Sequence, residues 1–517
     1  MCGILGIVGN VNSQDVTYAM NRLHARGPDN QIVTSSGNVV MGFTRLAING
    51  TTPGAMQPFR YNRMTAICNG EIFNHKNLEL DLDYEPVSGS DCEVLLPGYV
   101  RWGFPTLCNK LDAEFAMIMH DSESDLLWIA RDPYGVRPLF WGVTPNGTYA
   151  FASELKGISE MCDVVNQFNP GWYMCLNTGS NPDLIRYSEY RHTTSYEMCT
   201  HMGMNFDFVA DMVRDLLISA VRKRLMCEQG GVCCLLSGGL DSSLVSSIAN
   251  SYSDKTLHTF SIGLKGATDL IAAQKAADYI GSAHTTVELK EDDFLDAIPE
   301  VIGAIESYDV TTVRASVGNY LIGKYIKDNT NFKVVLNGDY ADEVCGGYLY
   351  MKLAPSAEEF QKECQRLVNN IHYFDSLRSD RTICAHGLEA RAPYADKEFL
   401  EFYMRIHPVM KSPKGEMEKF MLRKAFSGYG FLPDEILWRS KEAFSDGVST
   451  KERSWHTIVS DHVRTLGYRD EEEYYKSIFD SCYGAKHRNV IPYKWMPRFC
   501  DATDPSARTL EVYNGTC

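Results

Sequence analysis

A glycine-rich turn at residues 237–243 joins an apolar run to a helical pattern, and this junction limits the folds open to the chain. The run at 231–236 reads GVCCLL, the turn reads SGGLDSS, and residues 242–250 continue as SSLVSSIAN. A second apolar run at 256–262 and a second helical pattern at 269–280 follow. Strands that alternate with helices indicate an α/β fold, a doubly wound parallel sheet covered by helices.

Helical patterns also flank this alternating region. Upstream, apolar residues recur at helical spacing between 208 and 221, and beyond about residue 350 further helices are predicted at 357–371, 397–406 and 416–426. We therefore predict that the parallel-sheet domain occupies residues 206–517 and has a helical C-terminal part.

Residues 1–195 follow a different pattern, in which short strand-forming runs are separated by Gly, Asn, Pro and Asp turns. Runs at 38–43, 126–130 and 148–152 are examples, and the first residues, MCGILGIVGNV, also predict a strand. This pattern favours an α+β domain of mostly antiparallel sheet over residues 2–195. The stretch at 187–205 has little periodicity and is predicted to be a linker.

Composition excludes several classes of function. The chain has 517 residues, so two domains are expected, and its formal net charge of −16 argues against a nucleic-acid partner. It contains no run of about 18 apolar residues, so no membrane span is expected. The 16 cysteines are scattered without framework spacing, which favours reduced thiols and a cytoplasmic location. A homodimer is among the assemblies that the sequence allows.

The glycine-rich turn has the chemistry of a phosphate site. Its backbone N–H groups precede a helix, at the positive end of the helix dipole, and its serine hydroxyls add further donors. It lacks the lysine of a P-loop and the spacing of a dinucleotide fingerprint. Asp241 can hold Mg²⁺ on bound phosphates. The alternative interpretation is a serine N-cap with structural glycines.

The second residue is a cysteine, and removal of Met1 would place a thiol and a free α-amine on the same carbon. An amine with a pKa of about 8 can accept the proton of a thiol with a pKa of about 8.5, directly or through water. Cys2 is therefore a candidate nucleophile that carries its own base. The alternative is that Met-Cys is an accident of the chain start.

Several residues in turn-like settings of the first half have the side chains that an amino-acid substrate requires. Asp91 and Arg45 can pair with an α-ammonium and an α-carboxylate group, respectively. The side-chain amide of Asn69 and the backbone N–H of Gly70 can form an oxyanion hole for a thioester intermediate. Considered as residue types alone, these are also ordinary turn residues.

Five segments of the first half, together with Cys2, resemble class II glutamine amidotransferases. They are HARGPD (24–29), FTRLAIN (43–49), NGEIFNH (69–75), GSDCEVL (89–95) and RDPYGVRPLF (131–140). The resemblance implies the four-layer αββα fold of N-terminal-nucleophile hydrolases, with Cys2 as nucleophile and Asn69 and Gly70 as oxyanion hole. The glutamine pocket that it implies consists of Arg45, Leu46, Ala47, Ile48, Asn49, Asn69, Gly70, Glu71 and Asp91. His24 and His75 are interpreted as structural, because the α-amine already serves as base.

The turn SGGLDSS resembles the loop of the ATP pyrophosphatase superfamily, which adenylates a substrate and releases pyrophosphate. The segments TTVRASVGNYL (311–321), GLEARAPYADKEFL (387–400) and WRSKEAFSDG (438–447) resemble its asparagine synthetase branch. The resemblance implies an ATP site formed by Leu235, Leu236, Ser237, Gly239, Asp241, Ser242, Ile262, Asn337 and Gly338. It also implies that Lys441 supplies a movable positive charge for the leaving phosphates.

The segment at 335–348 departs from that family. It reads VLNGDYADEVCGGY, where the family usually has SGEGSDE, so Asp339 replaces a glutamate and Tyr340 replaces a glycine. The family glutamate is a general base, and Asp339 has one methylene less with which to reach the substrate. Asp342 and Glu343 are candidates for Mg²⁺ or amine contact, with helix-start carboxylates as the alternative. Asp241 and Asp342 are the predicted metal ligands.

Together, the two resemblances imply a ligase that uses glutamine, aspartate and ATP with Mg²⁺, and forms an aspartyl adenylate that ammonia attacks. Ammonium has no lone pair, so a dry apolar passage between the two sites is expected along the domain interface. Three alternatives stay open at this point. The enzyme adenylates a different carboxylate, it is a glutaminase or glutamine sensor with a lapsed synthetase half, or it is a non-catalytic assembly protein.

Overall fold

The computed structural model describes residues 1–179, 182–191, 205–413, 415, 417–441, 447–450 and 453–505. The strands of the first half are β1 (Gly3–Val8), β2 (Asn30–Ser36), β3 (Val39–Arg45), β4 (Phe59–Tyr61), β5 (Met64–Ile72), β6 (Ala113–Asp121), β7 (Leu126–Arg131), β8 (Phe140–Val143), β9 (Tyr149–Ala152), β10 (Val164–Gln167), β11 (Trp172–Asn177) and β12 (Asp183–Glu189). Its helices are α1 (Ser13–Leu23), α2 (His75–Leu82), α3 (Leu95–Trp102) and α4 (Phe104–Lys110).

The twelve strands form two antiparallel six-stranded sheets, ordered β10-β8-β9-β1-β3-β2 and β12-β11-β7-β6-β5-β4. Strand β1 is buried at every position because both of its faces are covered. Leu5 and Ile7 point to the side of α1, whereas Ile4 and Val8 join the core between the two sheets. Helices α2 to α4 cover the outer face of the second sheet. These four layers confirm the αββα prediction.

The second half begins with α5 (Phe206–Lys223), α6 (Leu240–Ser251), α7 (Thr268–Ile280), α8 (Glu291–Asp296), α9 (Ile298–Ile305), α10 (Val310–Asn329) and α11 (Ala341–Cys345). It continues with α12 (Ala357–Asn370), α13 (Asp375–Cys384), α14 (Lys397–Arg405), α15 (Pro408–Lys411), α16 (Phe420–Phe426), α17 (Asp434–Leu437), α18 (Trp455–Thr465) and α19 (Glu471–Tyr483). Its strands are β13 (Val232–Leu235), β14 (His258–Leu264), β15 (Ala283–Leu289), β16 (Val334–Leu336) and β17 (Glu389–Arg391).

These five strands form one parallel sheet in the order β15-β14-β13-β16-β17. Cys234 and Leu336 face the core that contains α5 and α6, and Cys233 and Val335 face the core that contains α10. Helices therefore cover both faces, and the predicted doubly wound sheet is confirmed. The strand order reverses between β13 and β16, the position at which open α/β sheets form ligand crevices.

Helix α5 shows how closely the sequence pattern matches the structure. Asn205 caps its N-terminus by accepting a hydrogen bond from the Asp207 backbone N–H, and Val213 and Leu217 are buried on its inner face. Phe208, which the pattern placed in the apolar stripe, is 53% exposed. The buried stripe is therefore narrower than the sequence pattern suggested.

Two predicted elements differ from the structure. The helix predicted at 416–426 begins at Phe420, because the preceding Lys419 has a left-handed backbone with a φ of 53°. The predicted linker at 187–205 begins inside β12, which extends to Glu189, and residues 192–204 lie outside the described residues. Across the described part of the chain, no helix is both long and apolar enough to span a membrane.

Two candidate active sites

The larger cavity of the second half lies at the carboxyl ends of β13 and β16. It encloses about 1450 Å³ including its open mouth, and the segments at 235–242 and 337–343 line it. All the predicted ATP-binding residues lie on its wall: Leu235, Leu236, Ser237, Gly239, Asp241, Ser242, Ile262, Asn337 and Gly338. Asp339, Asp342, Glu343 and Lys441 line the same cavity. The fold thus brings together residues that are up to about 200 positions apart in the chain.

Two glycines allow the glycine-rich turn to pack closely against its neighbours. Gly238 has a φ of 73°, and a Cβ there would lie 2.3 Å from the backbone carbon of Ala272. A Cβ on Gly338 would lie 2.7 Å from the backbone nitrogen of Ser242. A larger residue at either position would push the turn out of place.

The N-terminus of α6 opens into this cavity. Gly239 is the N-cap residue, and no described side chain caps the helix there. The Ser237 and Ser242 hydroxyls lie 3.0 Å apart and also line the cavity. Free backbone N–H groups at a positive helix end, flanked by hydroxyls, form an arrangement suited to a phosphate group.

A chain of alternating charges crosses the cavity. Lys419 Nζ lies 2.6 Å from Asp241 Oδ2 and 2.5 Å from Asp342 Oδ1, and Lys441 Nζ lies 2.5 Å from Asp342 Oδ2. Although burial alone would raise it, Lys419 and Lys441 hold the pKa of Asp342 below its usual range. Sequence reasoning missed Lys419, which is only 2% exposed and has no recognisable local motif.

The donor set at Asp241 and Asp342 fits a hard divalent cation. Both carboxylates line the cavity, and Asp241 Oδ1 is buried without a hydrogen-bond partner among the described residues. Carboxylate oxygens are the protein ligands that Mg²⁺ prefers. Lys419 already bridges the two carboxylates, so it would share them with a bound cation.

Asp339 forms an ion pair inside the cavity. Its Oδ1 lies 2.6 Å from Arg378 Nη2, and Arg378 also lies 3.0 Å from Asp375. Burial raises the pKa of Asp339, and the charge of Arg378 opposes that shift. A buried carboxylate with a raised pKa is a better proton acceptor than one in water. Sequence reasoning missed Arg378, which α13 places opposite Asp339.

A smaller cavity of about 430 Å³ lies in the first half and contains Cys2. Most of the predicted glutamine-pocket residues line it: Arg45, Leu46, Ile48, Asn49, Gly70, Glu71 and Asp91. Ala47 and Asn69 are not among its lining residues, and neither are His24 and His75, within the described chain. The Ala47 backbone instead bonds to Asp29 and Lys333.

Cys2 is partly buried in the chain that retains Met1. Cys2 Sγ lies 3.9 Å from the Leu46 carbonyl oxygen, and burial raises the pKa of Cys2 to about 11. The Met1 amine is buried and lies 3.6 Å from Glu389 Oε2. With Met1 in place the thiol is therefore protonated near neutral pH, and a base would be needed to activate it.

Asn69 and Gly70 lie on β5, and each has a feature that ordinary strand residues lack. The Asn69 side-chain amide is fully buried, and neither its Nδ2 nor its Oδ1 has a hydrogen-bond partner among the described residues. A Cβ on Gly70 would lie 2.3 Å from the Glu114 carbonyl oxygen. Buried amides without partners are rare.

Two buried carboxylates lie together in the Cys2 cavity. Burial raises the pKa of Glu71, and the charge of Asp91 raises it further, while Arg391 opposes the shift. Burial also raises the pKa of Asp91. Asn49 donates a hydrogen bond of 2.9 Å to Glu71. A cation placed between the carboxylates would lower both pKa values, so the pair suits an ammonium group.

Arg45 is already engaged by the chain around it. Its guanidinium donates hydrogen bonds to the carbonyl oxygens of Gly50 and Thr52, and it still lines the cavity. Arg45 therefore holds the 50–52 loop in place in addition to offering a positive charge to a ligand.

The second half of the chain contributes to the Cys2 cavity, which sequence reasoning did not foresee. Glu389 lines the cavity from β17, and Arg391 Nη2 lies 3.1 Å from Glu71 Oε1. The edge strand of the parallel sheet thus closes the smaller cavity. The motif GLEARAPYADKEFL contains both residues, but a motif alone does not tell which domain they face.

Buried ion pairs lie near the interface between the two halves, beside hydrophobic cores to which both halves contribute. Arg137 Nη2 lies 2.8 Å from Glu114 Oε2, and Arg26 Nη1 lies 2.8 Å from Asp380 Oδ2. Arg137 Nη1 also lies 3.7 Å from Asp380 Oδ1. The arginines are about 1% exposed, and burial at this depth is tolerated because each charge is paired.

The chain matches known proteins along its whole length. A glutamine amidotransferase domain is matched over residues 1–184, and asparagine synthase over residues 212–358 and 352–500. Glutamine-hydrolysing asparagine synthetases from Cricetulus griseus and Rattus norvegicus are 38% identical to it, and that from Homo sapiens is 37% identical. Each alignment covers 99% or more of both chains.

An N-terminal-nucleophile domain with a partly buried cysteine in its cavity, joined to a parallel-sheet domain with an open helix N-terminus, defines a two-domain amidotransferase. Among amidotransferases, the similarity to asparagine synthetases along the whole chain identifies the family. The chain belongs to the asparagine synthetase family.

Proposed function

We propose that this chain is a glutamine-dependent asparagine synthetase. It converts aspartate, glutamine, ATP and water into asparagine, glutamate, AMP and pyrophosphate. The observation that carries the proposal is the pairing, in one chain of this family, of a Cys2 cavity with a phosphate-type cavity that also contains Asp339 and Arg378.

The glutaminase half reaction uses Cys2 after Met1 has been removed. The α-amine accepts the thiol proton, and Sγ attacks the side-chain amide carbon of glutamine. Asn69 Nδ2 and the Gly70 backbone N–H stabilise the oxyanion of the tetrahedral intermediate. The C–N bond breaks as the amine returns its proton to the leaving ammonia, and water hydrolyses the glutamyl thioester.

The synthetase half reaction makes the aspartate side chain reactive. Its carboxylate oxygen attacks the α-phosphorus of ATP, and pyrophosphate leaves from the turn that contains Ser237, Gly239 and Ser242. Lys441 and Lys419 place positive charge beside the leaving group. Asp241 and Asp342 would hold Mg²⁺, which would supply positive charge to neutralise the phosphates. Ammonia then attacks the mixed anhydride, Asp339 accepts a proton, and AMP leaves.

Product analysis tests this proposal directly. Purified protein given aspartate, glutamine and ATP with Mg²⁺ is expected to form asparagine, glutamate, AMP and pyrophosphate in equal amounts. Pyrophosphate release that does not depend on aspartate would indicate a different carboxylate acceptor. Glutamate release without AMP formation, at the same rate with or without ATP and aspartate, would indicate a glutaminase with an inactive second half.

The carboxylate pair in the Cys2 cavity predicts a pH dependence of glutamine binding. Glu71 and Asp91 have raised pKa values, so they protonate earlier than exposed carboxyls as the pH falls. Only the ionised pair attracts the glutamine α-ammonium, and the KM for glutamine should therefore rise as neutral solutions are made mildly acidic. The Glu71→Gln variant should have a higher KM and a flatter pH profile. Superimposable profiles for the two proteins in a glutaminase assay would contradict this assignment.

A further inference from the structure

Tyr340 has an unusual backbone conformation beside the candidate base Asp339. Its φ is 74° and its ψ is −16°, in the left-handed region that favours glycine. Its side chain is 2% exposed. A bulky residue is held in this conformation only where its surroundings fix it, so the position of the ring calls for an explanation.

The Tyr340 side chain lies between the two halves of the molecule. It lines the synthetase cavity, and it also belongs to the same hydrophobic core as Tyr134 and Val136 of the first half. The ring therefore lies where the synthetase cavity meets a core that both halves share.

A single hydrogen bond holds the ring at its end. The Tyr340 hydroxyl bonds to the Ser376 hydroxyl at the start of α13, and Ser376 is not among the described residues that line the cavity. Ser376 is 4% exposed, so water does not compete freely for this bond. One side-chain hydrogen bond therefore holds the ring against α13, and this bond can break without a change in the backbone.

Helix α13 connects this contact to both sites. Arg378, two residues after Ser376, pairs with Asp339 inside the synthetase cavity. Asp380, two residues further along, pairs with Arg26 of the first half, which also bonds to the Cys2 carbonyl oxygen. Asp339 precedes Tyr340 in the chain, and Arg378 lies two residues after Ser376. A substrate carboxylate that competes with Asp339 for Arg378 would therefore disturb residues next to both partners of the Tyr340–Ser376 hydrogen bond.

We propose that Tyr340 is the gate between the two sites: its ring, held by Ser376, closes the synthetase cavity on the side that faces the Cys2 domain. Ammonia released at Cys2 enters when the hydrogen bond opens, and occupation of the Arg378 region by aspartate favours that opening. The closed ring prevents ammonia from passing through the open mouth of the cavity before the adenylate has formed. This inference rests on the proposed function.

The test is the amount of asparagine formed per glutamate released. Ser376→Ala removes one hydroxyl of the Tyr340–Ser376 hydrogen bond and changes no residue that lines the cavity, and Tyr340→Phe removes the other hydroxyl. Both variants should show a severalfold lower ratio with glutamine as donor, because ammonia escapes to solvent. Synthesis by Ser376→Ala from free ammonium should keep its kcat and its KM for aspartate, since that ammonia enters through the mouth.

Tyr350→Phe is the matched control, because it also removes a buried phenol hydrogen bond, of 2.6 Å to Glu363, away from this cavity. It should keep the wild-type ratio. Wild-type ratios in both Ser376→Ala and Tyr340→Phe would overturn the gate, as would an equal fall of ammonium-driven and glutamine-driven synthesis in Ser376→Ala. Wild-type protein that forms no asparagine from either nitrogen donor would instead overturn the proposed function, and the gate with it.

Discussion

Replacing Cys2 with alanine is expected to abolish glutamine-dependent asparagine formation and to leave ammonium-dependent formation intact. The variant lacks the only atom proposed to form the glutamyl thioester, so glutamate release should fall by about 10³-fold or more. The synthetase cavity keeps all of its lining residues, because Cys2 lies in the other cavity. Parallel assays of glutamate and asparagine, with glutamine or ammonium as nitrogen donor, measure both effects.

Cys162→Ala is a matched control for this experiment. Cys162 is a buried free thiol of the same domain, and it does not line the Cys2 cavity. It should retain both activities. If Cys2→Ala lost ammonium-driven synthesis as well, while remaining folded, the two sites would not be independent and the division of labour between them would be wrong.

Replacing Asp339 with asparagine is expected to remove synthesis from both nitrogen donors. Asparagine cannot accept the proton, and it leaves Arg378 without its partner at 2.6 Å. A general base typically contributes about 10²- to 10⁴-fold, so asparagine formation should fall by that amount. Glutamate release without aspartate and ATP should remain near the wild-type rate, because Asp339 is not in the Cys2 cavity.

Asp339→Glu distinguishes the effect of the carboxylate from the effect of side-chain length. It restores the side-chain length usual in this family, and it should support much faster synthesis than Asp339→Asn does. Aspartate-dependent AMP formation and amination at wild-type rates in Asp339→Asn would show that the base has been assigned to the wrong residue.

The parts of the sites that sequence predicts best are those built by one continuous segment. The turn at 237–242 is recognisable because strand, glycines and helix follow each other directly, and the structure places all of its predicted residues in one cavity. Gly338 belongs to a second segment, but that segment shows the same pattern of a strand followed by a turn. Local chemistry and local geometry coincide at these positions.

The parts that sequence does not predict come from long-range packing. Lys419 contacts both Asp241 and Asp342. It has a left-handed backbone and lies immediately before α16, at a position that no sequence periodicity marks. Arg391 reaches Glu71 across the domain interface. Ion pairs between side chains hundreds of residues apart depend on how the domains pack together. A local sequence pattern does not determine that packing.

The buried ion pairs have a consequence for how nitrogen passes between the sites. Paired guanidinium groups such as Arg137 are about 1% exposed, so bulk water is excluded around them. An ammonium ion that left bulk water would lose its hydration, whereas neutral ammonia has no charge to desolvate. The apolar passage expected from the sequence stays a prediction.

Isotope competition tests the central claim most directly. Wild-type protein is given aspartate, ATP and glutamine labelled with ¹⁵N in the amide, in a large excess of unlabelled ammonium, and the asparagine is examined by mass spectrometry. Nitrogen that passes internally from Cys2 to the adenylate keeps its label, so most asparagine formed at saturating glutamine should contain ¹⁵N. Asparagine whose label is diluted to the level of the bulk ammonium would contradict a direct connection between the two sites.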